Sequence, residues 1–178
     1  GYKTMLNLVL KKTLQGNILD IGGGGEGIMG RIYQAQVTAI DNRQEELDEA
    51  PGGFRKLLMD ARALAFPDAS FDHVTAFYAL MYMSKPVQAQ AVAEAARVLR
   101  SGGEFHIWDA NIVSASPEPF LAKLIIDANG ESVEVTYGIV MENARQDAAY
   151  FTELCNSAGL CLVEQKGALD GFYLRFIK

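Results

Sequence analysis

The residues best suited to chemistry in this sequence are a run of four glycines and an aspartate that follows at a fixed distance. Gly22 to Gly25 follow an apolar run at residues 18–21 and precede a segment of helical character. Glycine permits positive φ angles and a close approach of the backbone to a ligand, and a helix start offers unpaired N–H groups. Such a loop could hold a dinucleotide pyrophosphate or another nucleotide-derived ligand, or could be a tight turn required only for packing.

The aspartate is Asp41, which ends the next apolar run 19 positions after Gly22. A carboxylate at the end of a second strand can accept hydrogen bonds from both hydroxyls of a ribose. Hydrogen bonds to a charged acceptor are each worth about 1.5–3 kcal/mol. The spacing therefore predicts a ligand with an unphosphorylated ribose diol, a property that NAD and S-adenosylmethionine share.

The elements that must position these residues alternate in type over the first two thirds of the chain. Strands are predicted at residues 18–21, 36–41, 56–59, 72–77 and 104–109, and helices at about 27–33, 45–50 and 85–99. Strand–helix alternation indicates a parallel sheet with helices on both faces.

The last third has a different pattern. Predicted strands at 121–126 and 132–137 flank Asn129-Gly130, a dipeptide typical of β-hairpin turns. A helix at 147–158 with Gly159 as its C-cap follows, and then strands at 160–165 and 172–177. At the other end, residues 1–12 are interpreted as a short amphipathic helix with Met5, Leu6, Val9 and Leu10 on one side.

Composition limits the function classes. The 178 residues are 49% hydrophobic, and the net charge of −6 without a basic cluster argues against a nucleic-acid partner. No apolar run is long enough to span a bilayer, so no membrane partner is expected. Cys155 and Cys161 fit no metal-ligand pattern and are too few for a disulfide framework, which predicts core residues in a reducing, cytoplasmic compartment and no metal.

Taken in order, these motifs resemble the class I S-adenosylmethionine-dependent methyltransferases, in particular the small single-domain proteins of methyltransferase type 11. The stretch ILDIGGGGEG resembles the family's first motif, in which Asp20, Gly22 and Gly24 match, whereas Glu26 stands at the third glycine position and Gly27 comes one residue later. AIDNRQEEL resembles the second motif, MDARALAFPDASFD the third, and ARVLRSGGEFHIWD the segment that ends in the fifth strand. The resemblance covers residues 17–109 in register.

The resemblance implies an α/β fold: a Rossmann-like three-layer sandwich whose mostly parallel seven-stranded sheet ends in an antiparallel hairpin. One methyltransferase domain over residues 1–178 is expected, with an extra β-hairpin at about 120–138. S-adenosyl-L-methionine is the implied cofactor; Asp41 would bind its ribose, Asp60 its adenine amino group and the Ala61 backbone amide its ring. The predicted cofactor-binding residues are Asp20, Gly22, Gly23, Gly24, Asp41, Asn42, Asp60, Ala61 and Phe77.

The implied reaction is an in-line displacement of the sulfonium methyl group, which needs a general base only when the acceptor must lose a proton. The acceptor pocket is expected at the carboxyl ends of the fourth and fifth strands. Its candidates are Tyr78, Tyr82, Asp109 and Asn111, and the candidate catalytic residues are Asp109, Tyr82 and His106. His106 could be a base if its side chain faces the pocket, but a histidine inside a strand is more often a core or sheet-face residue. His73 is expected at the surface.

The resemblance implies an S-adenosylmethionine-dependent methyltransferase that transfers a methyl group to a small-molecule acceptor. Two alternatives stay open: a non-catalytic module that binds the cofactor or a partner protein, and a nicotinamide-dependent oxidoreductase. The extra hairpin could cap the substrate, extend the sheet edge or form a dimer contact, so a homodimer is also left open.

Overall fold

The computed structural model describes residues 4–167 and 169–178, and a seven-stranded β-sheet forms its centre. The strands are β1 (Thr4–Leu10), β2 (Ile18–Ile21), β3 (Val37–Asp41), β4 (Arg55–Leu58), β5 (Phe71–Phe77), β6 (Leu99–Asp109), β7 (Ala115–Ala128), β8 (Glu131–Met141), β9 (Cys161–Gly167) and β10 (Phe172–Ile177). The helices are α1 (Ile28–Tyr33), α2 (Gln44–Glu49), α3 (Lys85–Val98) and α4 (Ala148–Ser157). The central sheet has the order β4-β3-β2-β5-β6-β10-β9.

The direction of the strands confirms the predicted architecture. Strands β2 to β6 are parallel, and β10 lies antiparallel between β6 and β9. All four residues of β2 are buried, as expected for an inner parallel strand that is covered on both faces. A parallel arrangement brings the carboxyl ends of β2, β3 and β5 to one edge of the sheet, so the loops that follow them meet there.

The two faces of the sheet are covered differently. Helices α3 and α4 pack on one face through side chains such as Val92, Ala95 and Phe151, which share a buried cluster with Leu19 and Phe105. The other face is covered by α1 and by a second, three-stranded sheet of order β1-β7-β8. Among the described residues, no helix combines the length and the apolar character that crossing a bilayer requires.

The N-terminal segment is a strand, so the predicted amphipathic helix at residues 1–12 is wrong within the described residues. Strand β1 pairs in parallel with β7, from Thr4 opposite Ala122 to Leu10 opposite Ala128. Met5 and Val9 are 67% and 65% exposed, whereas Leu6 packs against the core between them. This alternation has the two-residue period of a strand, and the partner that stabilises it lies more than a hundred residues away.

The hairpin predicted around Asn129-Gly130 is confirmed and is longer than expected. Strands β7 and β8 pair from Phe120 opposite Ile139 to Ala128 opposite Glu131, and both turn residues have positive φ. The hairpin does not extend the central sheet, because it joins β1 in a separate layer. Of the two cysteines expected in the core, Cys155 is buried but Cys161 is exposed at the start of edge strand β9, and both are free thiols.

Candidate functional site

The carboxyl ends of β2, β3 and β5 border a cavity of about 800 Å³. This volume lies within the range of about 300–1,000 Å³ that is typical of ligand sites. All nine predicted cofactor-binding residues line it: Asp20, Gly22, Gly23, Gly24, Asp41, Asn42, Asp60, Ala61 and Phe77. The structure therefore brings together residues that lie up to 57 positions apart along the chain.

The glycine loop forms one wall of the cavity, and its backbone is bonded inward. Gly23 N–H donates to the Ile40 carbonyl at 3.0 Å, and Gly25 N–H donates to the Glu46 carbonyl at 2.7 Å. Gly24 N–H donates to Asp41 Oδ2 at 3.3 Å. A Cβ on Gly24 would lie 2.6 Å from the Glu46 Cβ, so only glycine fits between the loop and α2. The loop is thereby fixed against β3 and α2, and these N–H groups are already paired within the protein.

Asp41 stands where sequence spacing predicts the ribose carboxylate. Its Oδ2 accepts the Gly24 bond, and its Oδ1 accepts a hydrogen bond from Arg43 N–H at 3.1 Å. These two bonds fix the carboxylate at the cavity wall. Each oxygen has a second lone pair, so both can still accept a bond from a ligand hydroxyl.

Asp60 and Ala61 lie in the loop that follows β4, and both line the cavity. Arg62 binds Asp60 through its side chain at 2.7 Å and through its backbone N–H at 2.9 Å. These hydrogen bonds hold the pKa of the Asp60 carboxyl below its usual value of 3.8. Asp60 is therefore ionised at neutral pH and can act as a hydrogen-bond acceptor.

Asp20 is the buried carboxyl at the base of the cavity. It is 2% exposed and accepts a hydrogen bond from Thr75 Oγ1 at 2.8 Å. Burial raises its pKa to about 7; the Thr75 bond opposes this shift, and the charge of Asp41 adds to it. Such a group can gain or lose a proton near neutral pH when the charges around it change.

The charge on the cavity wall is mainly negative. Among the described residues that line it, six carry carboxyl groups and two carry guanidinium groups. The carboxyl groups belong to Asp20, Glu26, Asp41, Glu46, Glu49 and Asp60, and the guanidinium groups to Arg43 and Arg62. A concave acidic surface attracts a positively charged ligand more strongly than an anionic one.

The hairpin β7–β8 covers this cavity, a role that sequence reasoning left open. Val135, Thr136 and Tyr137 on β8 line it. The Tyr137 ring stacks on Tyr78, with centroids 4.9 Å apart and planes 10° from parallel. Gly138 N–H donates to the Tyr82 hydroxyl at 3.2 Å. Sequence analysis missed Tyr137, and the hairpin signal at Asn129-Gly130 is the feature that could have directed attention to it.

The acceptor candidates separate into two groups. Tyr78 and Tyr82 line the cavity, and burial raises the pKa of both phenols. Asp109, expected in the acceptor pocket, lies instead in the buried layer behind it. Its carboxylate accepts bonds from Met81 N–H at 3.2 Å, Ala110 N–H at 2.8 Å and Gln146 Nε2 at 2.8 Å. These bonds join the turn after β5 to the end of β6, and Asp109 is not among the residues that line the cavity.

Two further candidates lie away from the cavity. Asn111 follows β6 and is partly buried, outside the cavity wall. His106 faces a second cavity of about 530 Å³, between β1 and the central sheet. Burial first, and then His73 and Arg175, lower its pKa to about 3, so it is a neutral imidazole. His73, expected at the surface, is 9% exposed and pairs with His106 at 2.9 Å. The geometry does not support His106 as a base at the larger cavity.

Comparison with known proteins shows the family to which the chain belongs. The sequence profile of a family described as the methyltransferase domain matches residues 19–107, which is half of the chain. The chain belongs to this family. The resemblance inferred from its motifs is thereby confirmed.

Two curated proteins show the degree of sequence similarity between the chain and its relatives. The chain is 34% identical over 99 residues to phosphatidylethanolamine N-methyltransferase of Cereibacter sphaeroides. This match covers 50% of the chain and 48% of that protein. The chain is 30% identical over 150 residues to the ubiquinone/menaquinone biosynthesis C-methyltransferase of Paracoccus denitrificans. This match covers 77% of the chain and 58% of that protein. The chain thus spans about half the length of these curated relatives.

The fold also matches solved structures. A SAM-dependent methyltransferase from Methanosarcina mazei superposes with a TM-score of 0.62 over 93% of this chain and 94% of that one, at 19% identity. The match extends beyond residues 19–107 and supports the Rossmann-like fold of the methyltransferase-domain family over nearly the whole chain.

Proposed function

We propose that the chain binds S-adenosyl-L-methionine in the 800 Å³ cavity and transfers its methyl group to a small-molecule acceptor. The observation that carries the choice of cofactor is the inward bonding of the glycine loop. The N–H groups of Gly23, Gly24 and Gly25 donate to protein oxygens, whereas a dinucleotide pyrophosphate needs free N–H donors at this turn. The loop therefore supports a cofactor without phosphates.

The charge of the cavity supports the same choice. S-adenosylmethionine carries a sulfonium, an ammonium and a carboxylate group and is a net cation, whereas NAD carries two phosphates and is a net anion. Six carboxyl groups against two guanidinium groups favour the cationic ligand. Asp41 would bind the ribose, and Asp60 with the Ala61 backbone would bind the adenine. When bound, the cofactor supplies an activated methyl group.

The three tyrosines at the hairpin side of the cavity, Tyr78, Tyr82 and Tyr137, would receive the acceptor. Burial raises their pKa values, so at neutral pH the phenols are uncharged and offer ring faces and O–H donors. Of the two histidines of the chain, His106 lines the other cavity and His73 pairs with His106. Catalysis would then rest on holding the nucleophile about 3–3.5 Å from the methyl group and excluding water.

The relatives act on different kinds of atom. One is described as an N-methyltransferase and the other as a C-methyltransferase. We infer that the acceptor is itself a good nucleophile, because Tyr78, Tyr82 and Tyr137 are poor bases. The free thiols of Cys155 and Cys161 further support a reducing compartment such as the cytoplasm.

Isothermal titration calorimetry tests the proposal. S-adenosylhomocysteine should bind with one-to-one stoichiometry, and NAD should not bind at the same concentrations. Absence of binding at saturating S-adenosylhomocysteine would refute the proposal, and binding of NAD in its place would support an oxidoreductase. Cofactor binding without turnover of any acceptor in a panel of amines, phenols and quinols would favour the non-catalytic module.

A further inference from the structure

The two histidines of this chain meet a glutamate on the face of the central sheet that β1 and the hairpin cover. In the register of the parallel strands β5 and β6, His73 lies opposite Glu104, and Thr75 lies opposite His106. His73, Glu104 and His106 therefore project on one face, on adjacent strands. We propose that these three side chains form a binding site for a divalent transition metal ion of the Zn²⁺ type.

The distances between the potential ligand atoms suit such an ion. His73 Nδ1 lies 2.9 Å from His106 Nε2 and 3.7 Å from Glu104 Oε1, and His106 Nε2 lies 4.0 Å from Glu104 Oε1. A point equidistant from the three atoms lies about 2.1 Å from each, which matches Zn–N and Zn–O bonds of about 2.0–2.2 Å. Two imidazoles and one carboxylate are also a ligand set of known zinc sites.

The His106 imidazole has a second partner of the kind that orients metal ligands. The Tyr173 hydroxyl lies 2.8 Å from His106 Nδ1, the ring nitrogen that faces away from His73. His73 is 9% exposed, and its ring is held between Glu104 and His106. Ligating histidines bond their other nitrogen to a hydrogen-bonding partner, which fixes the ring and its tautomer. The positions needed for metal ligation are thus held before any ion enters.

The surroundings provide both charge and access. Glu104 Oε2 binds Arg175 Nη1 at 2.5 Å, which leaves Oε1 directed at the histidines. Arg175 also binds Glu164 at 3.1 Å, so its positive charge is shared by two carboxylates. Glu104 and His106 line the 530 Å³ cavity. A water molecule or a small ligand could therefore reach a fourth coordination position from that cavity.

The sequence alone predicts no metal, and the proposed site departs from that expectation because its residues are distant along the chain. His73 and His106 are 33 positions apart, and only the pairing of β5 with β6 brings them together. The spacing of Cys155 and Cys161 gave no sign of a metal site. The present site uses neither of them.

The experiment exploits the fact that the chain has two histidines in all. Long-range ¹H–¹⁵N correlation spectra of the dialysed protein would show four imidazole nitrogens, which would be followed during titration with Zn²⁺ and, in parallel, with Mg²⁺. We expect one nitrogen of each ring to shift, with saturation at one equivalent of Zn²⁺ and no change with Mg²⁺. Unchanged imidazole signals at excess Zn²⁺ would overturn the proposal.

Variants then separate this site from adventitious binding. His73→Asn and His106→Asn should each weaken Zn²⁺ binding by at least about 100-fold, and Tyr173→Phe by about 10- to 100-fold. Cys161→Ser is the matched control, since its thiol is exposed and outside the cluster, and it should retain wild-type affinity. Loss of binding in Cys161→Ser, or its retention in the histidine double variant, would contradict the assignment. Circular dichroism confirms that each variant is folded, and the wild-type titration decides the question if one is not.

Discussion

The substitution Asp20→Asn should change how the stability of the protein depends on pH. Asp20 is buried, and burial raises its pKa from 3.8 to about 7. Between these two values the folded chain holds a proton that the unfolded chain has released. The free energy of unfolding therefore falls as the pH rises from about 4 to about 7, and it levels off above the folded-state pKa.

The size of this effect follows from the shift. About three pKa units at about 1.36 kcal/mol each give an upper value of roughly 4 kcal/mol for the destabilisation at pH 8. Asparagine has no such titration, and its side-chain oxygen can still accept the bond from Thr75 Oγ1. Relative to wild type, Asp20→Asn should gain stability between pH 4.5 and about pH 7, and the difference should level off by pH 8.

Urea denaturation followed by circular dichroism, at half-unit steps of pH and without cofactor, measures the difference. Asp109, whose pKa burial also raises to about 7, is present in both proteins, so its contribution cancels. Asp48→Asn, at an exposed carboxyl on α2, is the control for loss of a charge. A difference between Asp20→Asn and wild type that does not change with pH would refute the electrostatic account of this site.

Three further substitutions test the cavity wall. Asp41→Ala should weaken binding of S-adenosylhomocysteine by on the order of 100-fold in calorimetry, because two hydrogen bonds to a charged acceptor are lost; unchanged affinity would remove Asp41 from the site. Gly24→Ala should lower the free energy of unfolding in urea by about 1–3 kcal/mol, because the new Cβ would lie 2.6 Å from the Glu46 Cβ. Gly52→Ala is the control: its Cβ meets no atom within 4 Å, so it should lower the free energy of unfolding far less. Tyr137→Ala should weaken cofactor binding by up to about 10-fold through loss of its stack, and Tyr137→Phe should retain it; equal effects of the two would show that the ring is not what matters.

The parts of the fold that sequence predicts well are those with strong local signals. The buried strand at 18–21, the glycine loop and Asp41 carry their own constraints, because a parallel strand buried on both faces and a tight turn each demand particular residue types. The motifs over residues 17–109 then placed Asp60 and Ala61 at the same cavity. All of these lie within or beside the region that the family profile matches.

The parts that sequence could not predict depend on distant partners. Strand β1 forms because β7 is present, with Leu6 opposite Leu124, and its local pattern fits a helix nearly as well. Tyr137 reaches the cavity because the hairpin folds back over the sheet. Histidine and aspartate are residue types suited to catalysis, which made His106 and Asp109 candidates. The direction in which each side chain leaves β6 decides its surroundings, and both side chains point away from the larger cavity.

The measurement that tests the central claim most directly is a crystal structure of the chain with bound S-adenosylhomocysteine. The account predicts that the ribose hydroxyls contact Asp41, that the adenine lies beside Asp60 and Ala61, and that the sulfur faces Tyr78 and Tyr137 beneath the hairpin. An adenosyl group in the smaller cavity beside His106, or a glycine loop that has rearranged to present its N–H groups to the ligand, would contradict it.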